Sequence, residues 1–298
     1  MVQFEPKQTP KRVLPMIKAE IIADSINPSK DRITSWILIY PRFIHSEVMT
    51  HRKFSRNASS SRAVPIEKAI QLVQENPATP EFWGANQKGM QSAQELSEKE
   101  KIKAKDQWFK SRDQAVKMAK KLLKLGLHKQ IANRVLEPFA HITVMVTATE
   151  YENFFSLRAH PDAQPEFQVL AYRMLNLYLK NKPVQRDWDE WHIPFGDNMP
   201  KGTNEEHQLK IATARAARVS YLTFDGETNI EKDFALHDRL MKSWHWSPFE
   251  HCARASEIEK DFGNFTGWLP YRKIFSDENR TGLNLKKVLS QKPSWIKL

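Results

Sequence analysis

The chain has 298 residues, of which 40% are hydrophobic and 27% charged, and its formal net charge is +11. This balance is that of an ordinary globular protein, long enough to bury a sizeable core in one large domain or in two. The sequence has no apolar run of about 18 residues, so no membrane span is expected. One cysteine excludes an internal disulfide and suits a cytoplasmic location. The positive charge favours anionic partners, either nucleic acid or phosphorylated small molecules.

The first 15 residues are rich in lysine and proline and predict a flexible basic arm. Two β-rich runs follow, at 18–25 and 33–40, and predict a hairpin or two adjacent strands. Pro41 suits a first helical turn, so residues 41–52 predict a short helix.

The next stretch, Thr50–Arg62, reads THRKFSRNASSSR and predicts an irregular loop, because it has no apolar periodicity beyond Phe54. Its hydroxyls and backbone N–H groups are of the kind that cradle phosphate oxygens, and its arginines can add charge-assisted bonds. Composition alone also allows a solvated basic loop.

Further along the chain, periodicity predicts one buried strand at 141–149 and a series of amphipathic helices. The helices are predicted at 65–74, 94–125 (one long helix or two), 127–138, 150–158, 164–179, 205–220 and 230–243. The lysine-rich segment 94–125 is where a nucleic-acid hypothesis would start. Its interleaved acidic residues and few aromatics favour a solvated helix face instead.

Residues 50–62 resemble the signature of the flavin-dependent thymidylate synthases, which is Arg-His-Arg, seven residues, Ser, and Arg two places later. Thr50, His51 and Arg52 occupy the triplet, with Thr50 departing from the family's Arg, and Ser60 and Arg62 end the motif. The resemblance implies that the triplet and Lys53 hold FAD. It also implies that substrate-binding residues surround the loop, namely Glu47, Ala58, Ser59, Ser60, Ser61 and Arg62, with Ser60 also catalytic.

A second part of the resemblance lies around the predicted strand 141–149. The family places an Asn, four residues and an Arg at the end of the following helix, which are Asn153 and Arg158 in this chain. On this reading Asn153 contacts the flavin, and Arg158 is catalytic, facing the uracil ring and favouring its ionisation. Arg134 resembles a nucleotide-gripping arginine. Thr147 and Thr149 stand where the family commonly has Asn and Arg against the flavin phosphates.

A third part of the resemblance lies near the C-terminus. The family's Ala-Arg-Val-Ser element, helix and Ser-Pro-Phe-Glu-His segment are similar to 217–220, 230–243 and 247–251. These elements precede the basic triplet in the family but follow it here, as a circular permutation would produce. The predicted organisation is then an arm at 1–15, a core at 16–200, and a segment at 201–298 that folds back so that His251 reaches the cofactor. The alternative is a separate C-terminal domain with a coincidental match.

The chemistry of the site favours a flavin route. Cys252 is the one possible thiolate nucleophile, but its apolar neighbours predict a buried structural thiol. His192, among acidic residues, has no second His at metal-ligand spacing, so no metal site is predicted. A set of basic groups without a nucleophile suits stabilisation of an ionised uracil.

The resemblance implies a mixed α/β fold with a curved mixed sheet flanked by helices, with long helices in the middle of the chain. It implies reductive methylation of dUMP to dTMP, with methylenetetrahydrofolate as carbon donor, NADPH-reduced FAD, and a homotetramer with shared active sites. Two alternatives stay open: a flavin-dependent dUMP hydroxymethylase, and a basic nucleic-acid-binding protein with a vestigial site.

Overall fold

The computed structural model describes residues 17–196, 199–220, 229–258, 261–276, 278 and 284–296. The predicted basic arm, residues 1–15, lies outside them. The strands are β1 (Lys18–Ile26), β2 (Arg32–Pro41), β3 (Ser55–Ala58), β4 (His141–Ala148), β5 (Val184–Gln185), β6 (Trp191–His192), β7 (Ala253–Ala255), β8 (Asp261–Phe262), β9 (Phe265–Thr266) and β10 (Trp268–Pro270).

The α-helices include one long member in the middle of the chain, as predicted. They are α1 (His45–Val48), α2 (Ile66–Glu75), α3 (Glu98–Lys124), α4 (Lys129–Ala132), α5 (Glu152–Arg158), α6 (Pro165–Lys180), α7 (Glu205–Val219), α8 (Ile230–Lys242) and α9 (Leu285–Ser290). Short 3₁₀ turns lie at Arg42–Ile44, Asn133–Phe139, Ser247–Glu250 and Tyr271–Ile274. Within the described residues, no helix is both long and apolar enough to cross a membrane.

The main sheet has five strands in the order β3-β4-β2-β1-β5. All neighbours are antiparallel except β1 and β5, which makes the sheet mixed. The predicted pairing of the first two runs is confirmed, since Lys18 lies opposite Ile39 and Ile26 opposite Arg32. A bulge between Ile21 and Ala23 interrupts that register. The mixed α/β fold class predicted from the sequence is confirmed.

One side of this sheet, here called the aromatic face, is covered by α5 and α6. Alternate residues of β2 and β4 point to it, among them Trp36, Val144 and Val146, and all three are fully buried. They pack against Tyr151, Phe154 and Phe167 among others. Because this cluster is almost entirely apolar, burial of hydrophobic surface is what holds the helices to the sheet.

The opposite side, here called the C-terminal face, is covered by residues that follow β5. Ile37 and Met145 meet Phe195, Ala216 and Val219 there, and Ile33 packs against β7, β9 and β10. The C-terminal region also has a core of its own, which includes Leu240, Trp246 and Phe249. It therefore folds back on the sheet while keeping an apolar centre, and it does contact strand β2.

Three local predictions differ from the structure. Residues 55–58 form an edge strand on β4 instead of loop, because Ser55 and Asn57 turn inward and both are buried. The predicted helix at 41–52 ends at Val48. The helix predicted at 127–138 is a single α-turn followed by 3₁₀ geometry that contains Pro138, whose missing N–H cannot extend a helix.

Candidate active site

Two sequence motifs one hundred residues apart meet at the end of α5. The Nε of Arg158 donates to Nε2 of His51 at 3.0 Å, and its Nη2 donates to Oγ1 of Thr50 at 3.2 Å. The guanidinium also lies 4.8 Å from the centre of the Phe167 ring, a cation–π distance. The structure thus joins Thr50, His51 and Arg158 in one cluster.

The loop that carries His51 is held from within by Arg56. Nη1 of Arg56 donates to the carbonyl oxygens of Met49 at 3.1 Å and of His51 at 3.0 Å. An arginine that the sequence placed among the phosphate-binding candidates therefore shapes the loop. The Arg56 side chain thus satisfies backbone carbonyl groups that a helix or a β-ladder would satisfy in regular secondary structure.

The pKa of His51 is lowered to about 4, first by burial and then by the cations Arg158 and Arg56. The ring is therefore neutral at pH 7. Since its Nε2 accepts a hydrogen bond from Arg158, the single ring proton must be on Nδ1. His51 accordingly presents one Nδ1–H donor beside the Arg158 cation.

Arg158 lines a cleft of about 840 Å³ together with Glu47. Burial raises the pKa of the Glu47 carboxyl, and the nearby Arg158 cation opposes that rise. The other wall comes from Phe82 and from residues 90–93. Gly84 is required in this wall, because a Cβ there would lie 2.6 Å from Cβ of Ser92.

Residues 59–61, here called the serine loop, line a second cavity of about 240 Å³. This cavity shares no lining residue with the first. Ser59, Ser60 and Ser61 form one side of it. The Ser60 N–H donates to the carbonyl of Ser220 at 2.9 Å, so the end of α7 fixes the loop. Within one chain, the serine loop and Arg158 therefore line different cavities.

Three donors converge on a single carboxylate oxygen at this second cavity. Oε1 of Glu137 lies 2.7 Å from Oγ of Ser61, 3.1 Å from Nε of Arg42 and 2.8 Å from Nη1 of Arg134. Arg134 thus shares a carboxylate partner with Ser61 of the serine loop. A hydroxyl with two guanidinium groups is a donor set that suits phosphate oxygens equally well.

The remaining candidates for substrate binding lie around this loop. Ala58 ends β3 and is half-buried, with its side chain against the aromatic-face cluster. Arg62 is exposed, and its backbone N–H donates to Oγ of Ser60 at 3.3 Å.

The candidates for cofactor binding divide into two groups. Arg52, Lys53 and Asn153 are exposed beside the Arg158 cluster, and Lys53 pairs with Glu150 at 3.0 Å. Thr147 is fully buried, and Thr149 accepts a hydrogen bond from the backbone of Thr266 at 3.0 Å.

His251 belongs to the buried group. Its Nδ1 lies 2.8 Å from Oγ1 of Thr147, and its ring is 1% exposed. Because Thr147 points to the C-terminal face and His51 packs against Phe154 and Phe167 of the aromatic face, the two histidines lie on opposite sides of the sheet within one chain. The fold-back places His251 on the sheet, but not beside His51.

Cys252 is fully buried, as predicted, and burial raises the pKa of its thiol. His192 is buried between hydroxyls, with Oγ of Ser35 at 2.8 Å and Oγ of Ser25 at 2.9 Å. Neither residue faces open space.

The sequence analysis missed several residues of the two cavities. Arg42 and Glu137 reach the serine loop only because β2 ends beside the 3₁₀ turn 133–139. Residues 82–93, which form one wall of the Arg158 cleft, carry no motif, so the sequence did not predict their place in a site. The buried hydrogen bond between Ser35 and His192 could not be predicted either, because an isolated serine in an apolar strand gives no periodic signal.

Comparisons with known proteins bear on these motifs. The family model of the thymidylate synthase complementing protein matches residues 33–184, which is 152 of the 298 residues. No curated protein matches the chain.

Two solved structures are similar over part of the chain. They are a UMP/dUMP methylase, PolB from Streptomyces cacaoi, bound with 5-Br UMP (18% identity, TM-score 0.45) and the same protein bound with 5-Br dUMP (15% identity, TM-score 0.45). The similarity covers 57% of this chain and 90% and 91% of those chains, respectively.

The matched residues run from strand β2 to the start of β5 and include both the basic triplet and the Arg158 helix. They take in the cluster of Thr50, His51 and Arg158 and the whole serine loop. This chain belongs to the family of the thymidylate synthase complementing protein, the flavin-dependent thymidylate synthases.

Proposed function

We propose that this protein is a flavin-dependent enzyme that modifies the uracil ring of dUMP, and that the reaction is reductive methylation to dTMP. The observation that carries the proposal is the contact of Arg158 with His51 and Thr50. This contact joins the triplet at 50–52 to the end of α5, and both lie within the residues that the family model matches. Methylenetetrahydrofolate is the proposed carbon donor and NADPH the proposed reductant.

Arg158 is the proposed catalytic cation. Its Nη2 and the Phe167 ring fix the guanidinium at the edge of the large cleft, so the charge is already in place before a substrate arrives. A preorganised cation lowers the energy of a uracil ring that carries negative charge. Glu47, on the same cleft, offers a carboxylate to a polar edge of the ring.

The serine loop is the proposed site for the substrate phosphate. Ser61, Arg42 and Arg134 already converge on an anionic oxygen, that of Glu137, and a phosphate oxygen has the same requirement. Ser59, Ser60 and Arg62 complete this proposed group, and Ala58 precedes them at the end of β3.

The exposed residues beside Arg158 fit a bound FAD better than the buried ones. The side chains of Arg52 and Asn153 are solvent-accessible and form no hydrogen bond within the described residues, while His51 presents its Nδ1–H donor. Thr147 and Thr149 are engaged with the C-terminal region. When bound, the flavin supplies the reducing equivalents, and these residues bind and orient it.

The serine loop and Arg158 line different cavities of one chain, which supports a site completed by a second copy. We therefore propose a homo-oligomer, a tetramer by family resemblance, in which one subunit supplies the serine loop and another supplies Arg158. We also propose the division into a core at 16–200 and a C-terminal segment at 201–298.

Product analysis tests the proposal directly. Purified protein should be yellow with a flavin absorbance spectrum, and with dUMP, NADPH and methylenetetrahydrofolate it should form dTMP by mass spectrometry. A product carrying one additional oxygen would assign the protein as a hydroxymethylase. Colourless protein that makes neither product and binds DNA with steep salt dependence would support the nucleic-acid alternative.

Arg158→Ala provides the test of the catalytic assignment. We expect turnover to fall by about two to three orders of magnitude, since one preorganised charge partner typically contributes that much. FAD occupancy, read from absorbance, should change far less. Lys120→Ala, on the exposed face of α3, is a matched control, since it also removes one positive charge. Near-normal turnover of Arg158→Ala would remove Arg158 from the mechanism.

A further inference from the structure

Three glutamine side chains line the Arg158 cleft, namely Gln91, Gln164 and Gln168. Gln91 belongs to the wall formed by residues 82–93, whereas Gln164 is the N-cap of α6 and Gln168 lies in the first turns of that helix. All three direct the amide nitrogen to one short segment, residues 161–166. The three amides are therefore neighbours in the cleft.

Backbone carbonyl groups fix the orientation of two of these amides. Nε2 of Gln91 donates to the carbonyl oxygen of Asp162 at 2.8 Å. Nε2 of Gln168 donates to the carbonyl oxygens of Pro161 at 2.8 Å and of Ala163 at 2.7 Å. Because a carbonyl oxygen only accepts, each amide must turn its NH₂ group to the protein. The Oε1 atoms consequently lie on the other side of the amide carbon.

A buried carboxylate fixes the third amide. Glu166 is 1% exposed, and its Oε1 accepts from the backbone N–H of Glu81 at 2.8 Å. Its Oε2 accepts from Nε2 of Gln164, also at 2.8 Å. A carboxylate has no hydrogen to donate, so Gln164 cannot turn its own oxygen toward Glu166. Glu166 thus orients Gln164 and also ties the start of the 82–93 wall to α6.

The three Oε1 atoms accept no hydrogen bond from the described residues. The cleft therefore offers three acceptors whose orientation the protein has already set. Amide oxygens carry no net charge, so they suit neutral N–H groups, which cost less to desolvate than a cation. Phe82 and Met90 line the same cleft and supply apolar surface for the flat face of a ring. At about 840 Å³ the cleft has room for such a ring beside a uracil at Arg158.

Several neighbouring N–H donors on a neutral planar ring define a narrow class of ligand. The 2-amino-4-oxo ring that pteridines and guanine share has an amino group next to a ring N–H, so part of its edge carries donors alone. Uracil and the flavin ring instead have one N–H between two carbonyl groups, and the amino group of adenine lies beside ring nitrogens that accept. A site with oriented acceptors discriminates between these rings, because a mismatched edge leaves the acceptors unpaired.

We propose that this cleft binds a neutral 2-amino-4-oxo heterocycle, whose N–H edge donates to Gln91, Gln164 and Gln168. Glu166 is a positioning residue that keeps the Gln164 oxygen toward the ligand. A reduced folate and a guanine nucleotide both carry this ring. Assigning the ring to the folate carbon donor rests on the proposed function, whereas the chemistry of the ring edge does not.

A pair of soluble probes tests the edge chemistry in the full-length protein. 6-Carboxypterin has the 2-amino group, and 6-carboxylumazine has a carbonyl group in its place, while the two rings have nearly the same shape. In a fluorescence titration we expect the pterin to bind at least about tenfold more tightly, the effect of one hydrogen bond. Equal affinities, tighter binding of the lumazine, or no binding of the pterin at millimolar concentration would overturn the proposal.

Gln168→Leu removes one of the acceptors and should abolish most of the preference for the pterin. Gln208→Leu is the matched control. Gln208 is also half-buried, and its Nε2 donates to the carbonyl of Thr203, five residues earlier, at 2.7 Å, but it lies on α7 and does not line the cleft. A loosened structure would weaken both probes equally, so the ratio of the two affinities is the measurement. A ratio that Gln168→Leu leaves unchanged would remove Gln168 from the site.

Glu166→Gln tests the positioning role. The amide oxygen at position 166 can still accept from the N–H of Glu81, which leaves the amide nitrogen facing Gln164. Gln164 must then turn its oxygen to that nitrogen and its own Nε2 to the cleft. We expect the affinity ratio to move toward the lumazine by about tenfold. A variant that keeps the wild-type ratio would show that Glu166 does not orient Gln164.

The source of the ring is decided with 5-formyltetrahydrofolate and GMP as competing ligands. Tighter binding of the folate supports its assignment as the carbon donor, and tighter binding of GMP would overturn that assignment. Protein that prefers the pterin but forms no dTMP would count against the proposed function and leave the site intact. Protein that forms dTMP but does not distinguish the two probes would overturn the site alone.

Discussion

The two faces of the five-stranded sheet are covered in different ways. The aromatic face joins α5 and α6 through fully buried rings and aliphatic side chains, such as Trp36 and Phe167. The C-terminal face joins later parts of the chain through both apolar contacts and hydrogen bonds between short polar side chains, such as Ser35 and Thr147. Hydrophobic burial is non-directional, whereas hydrogen bonds demand one relative position. The first face therefore supplies most of the stability, and the second fixes how the C-terminal region docks.

The largest effect is expected on the aromatic face. Phe167 is fully buried and packs against His51, Phe154 and the Arg158 guanidinium. Phe167→Ala should destabilise the fold by about 3–5 kcal/mol through lost burial and a residual cavity. Urea unfolding at pH 7 measures it. A loss below 1 kcal/mol would show that this face contributes less than its packing indicates.

Acid should weaken the C-terminal face, as it should the His51 cluster on the aromatic face, because these buried neutral imidazoles resist protonation. His192 and His251 have folded-state pKa values of about 3, below the ordinary value of 6.5, so the unfolded chain binds protons first as the pH falls. Stability is complete above pH 6.5 and is lost as the pH falls from 6.5 toward 3. Between pH 7 and pH 5 each ring should cost on the order of 2 kcal/mol. His251→Gln should remove the contribution of its own ring, on the order of 2 kcal/mol between pH 7 and pH 5, and an identical pH slope in wild type and variant would contradict it.

A smaller effect is expected where the hairpin of β8 and β9 meets the sheet. Thr149→Val removes the acceptor of the Thr266 backbone N–H. The loss should be about 1–3 kcal/mol if the N–H stays without a partner. Denaturant unfolding measures the loss, and amide hydrogen exchange at Thr266 should accelerate more than exchange in β4. Equal protection of the Thr266 amide in the wild type and in Thr149→Val would mean that water replaces the hydroxyl.

The smallest effect should lie outside both faces. Lys120 is on the exposed side of α3, next to Lys117, Lys121 and Lys124. Lys120→Glu should change the free energy of unfolding by no more than about 0.5 kcal/mol. A larger destabilisation in thermal unfolding would show that this helix face is buried in an assembly.

Much of the sequence-based prediction concerned local structure, and most of it agrees with the fold. The β-rich run at 33–40 and the alternation in residues 141–149 predicted the central strands, and the periodicity of residues 65–74 and 164–179 predicted helices with the correct faces inward. The prediction failed at residues 55–58, because short polar side chains carry little β-propensity and only the exposed edge of β4 makes them a strand.

The sequence by itself also determined the family, since the spacing of the basic triplet, Ser60 and Arg62 is a local property of the chain. It determined that Cys252 would be buried, from its apolar neighbours. The pairing of Arg158 with His51 and the placement of the serine loop in a different cavity were decided only by the tertiary structure. The same holds for the buried hydrogen bonds that join Ser25, His192, Ser35, Thr147 and His251. These residues come from five separate segments, and each hydrogen bond depends on a distance that no sequence pattern contains.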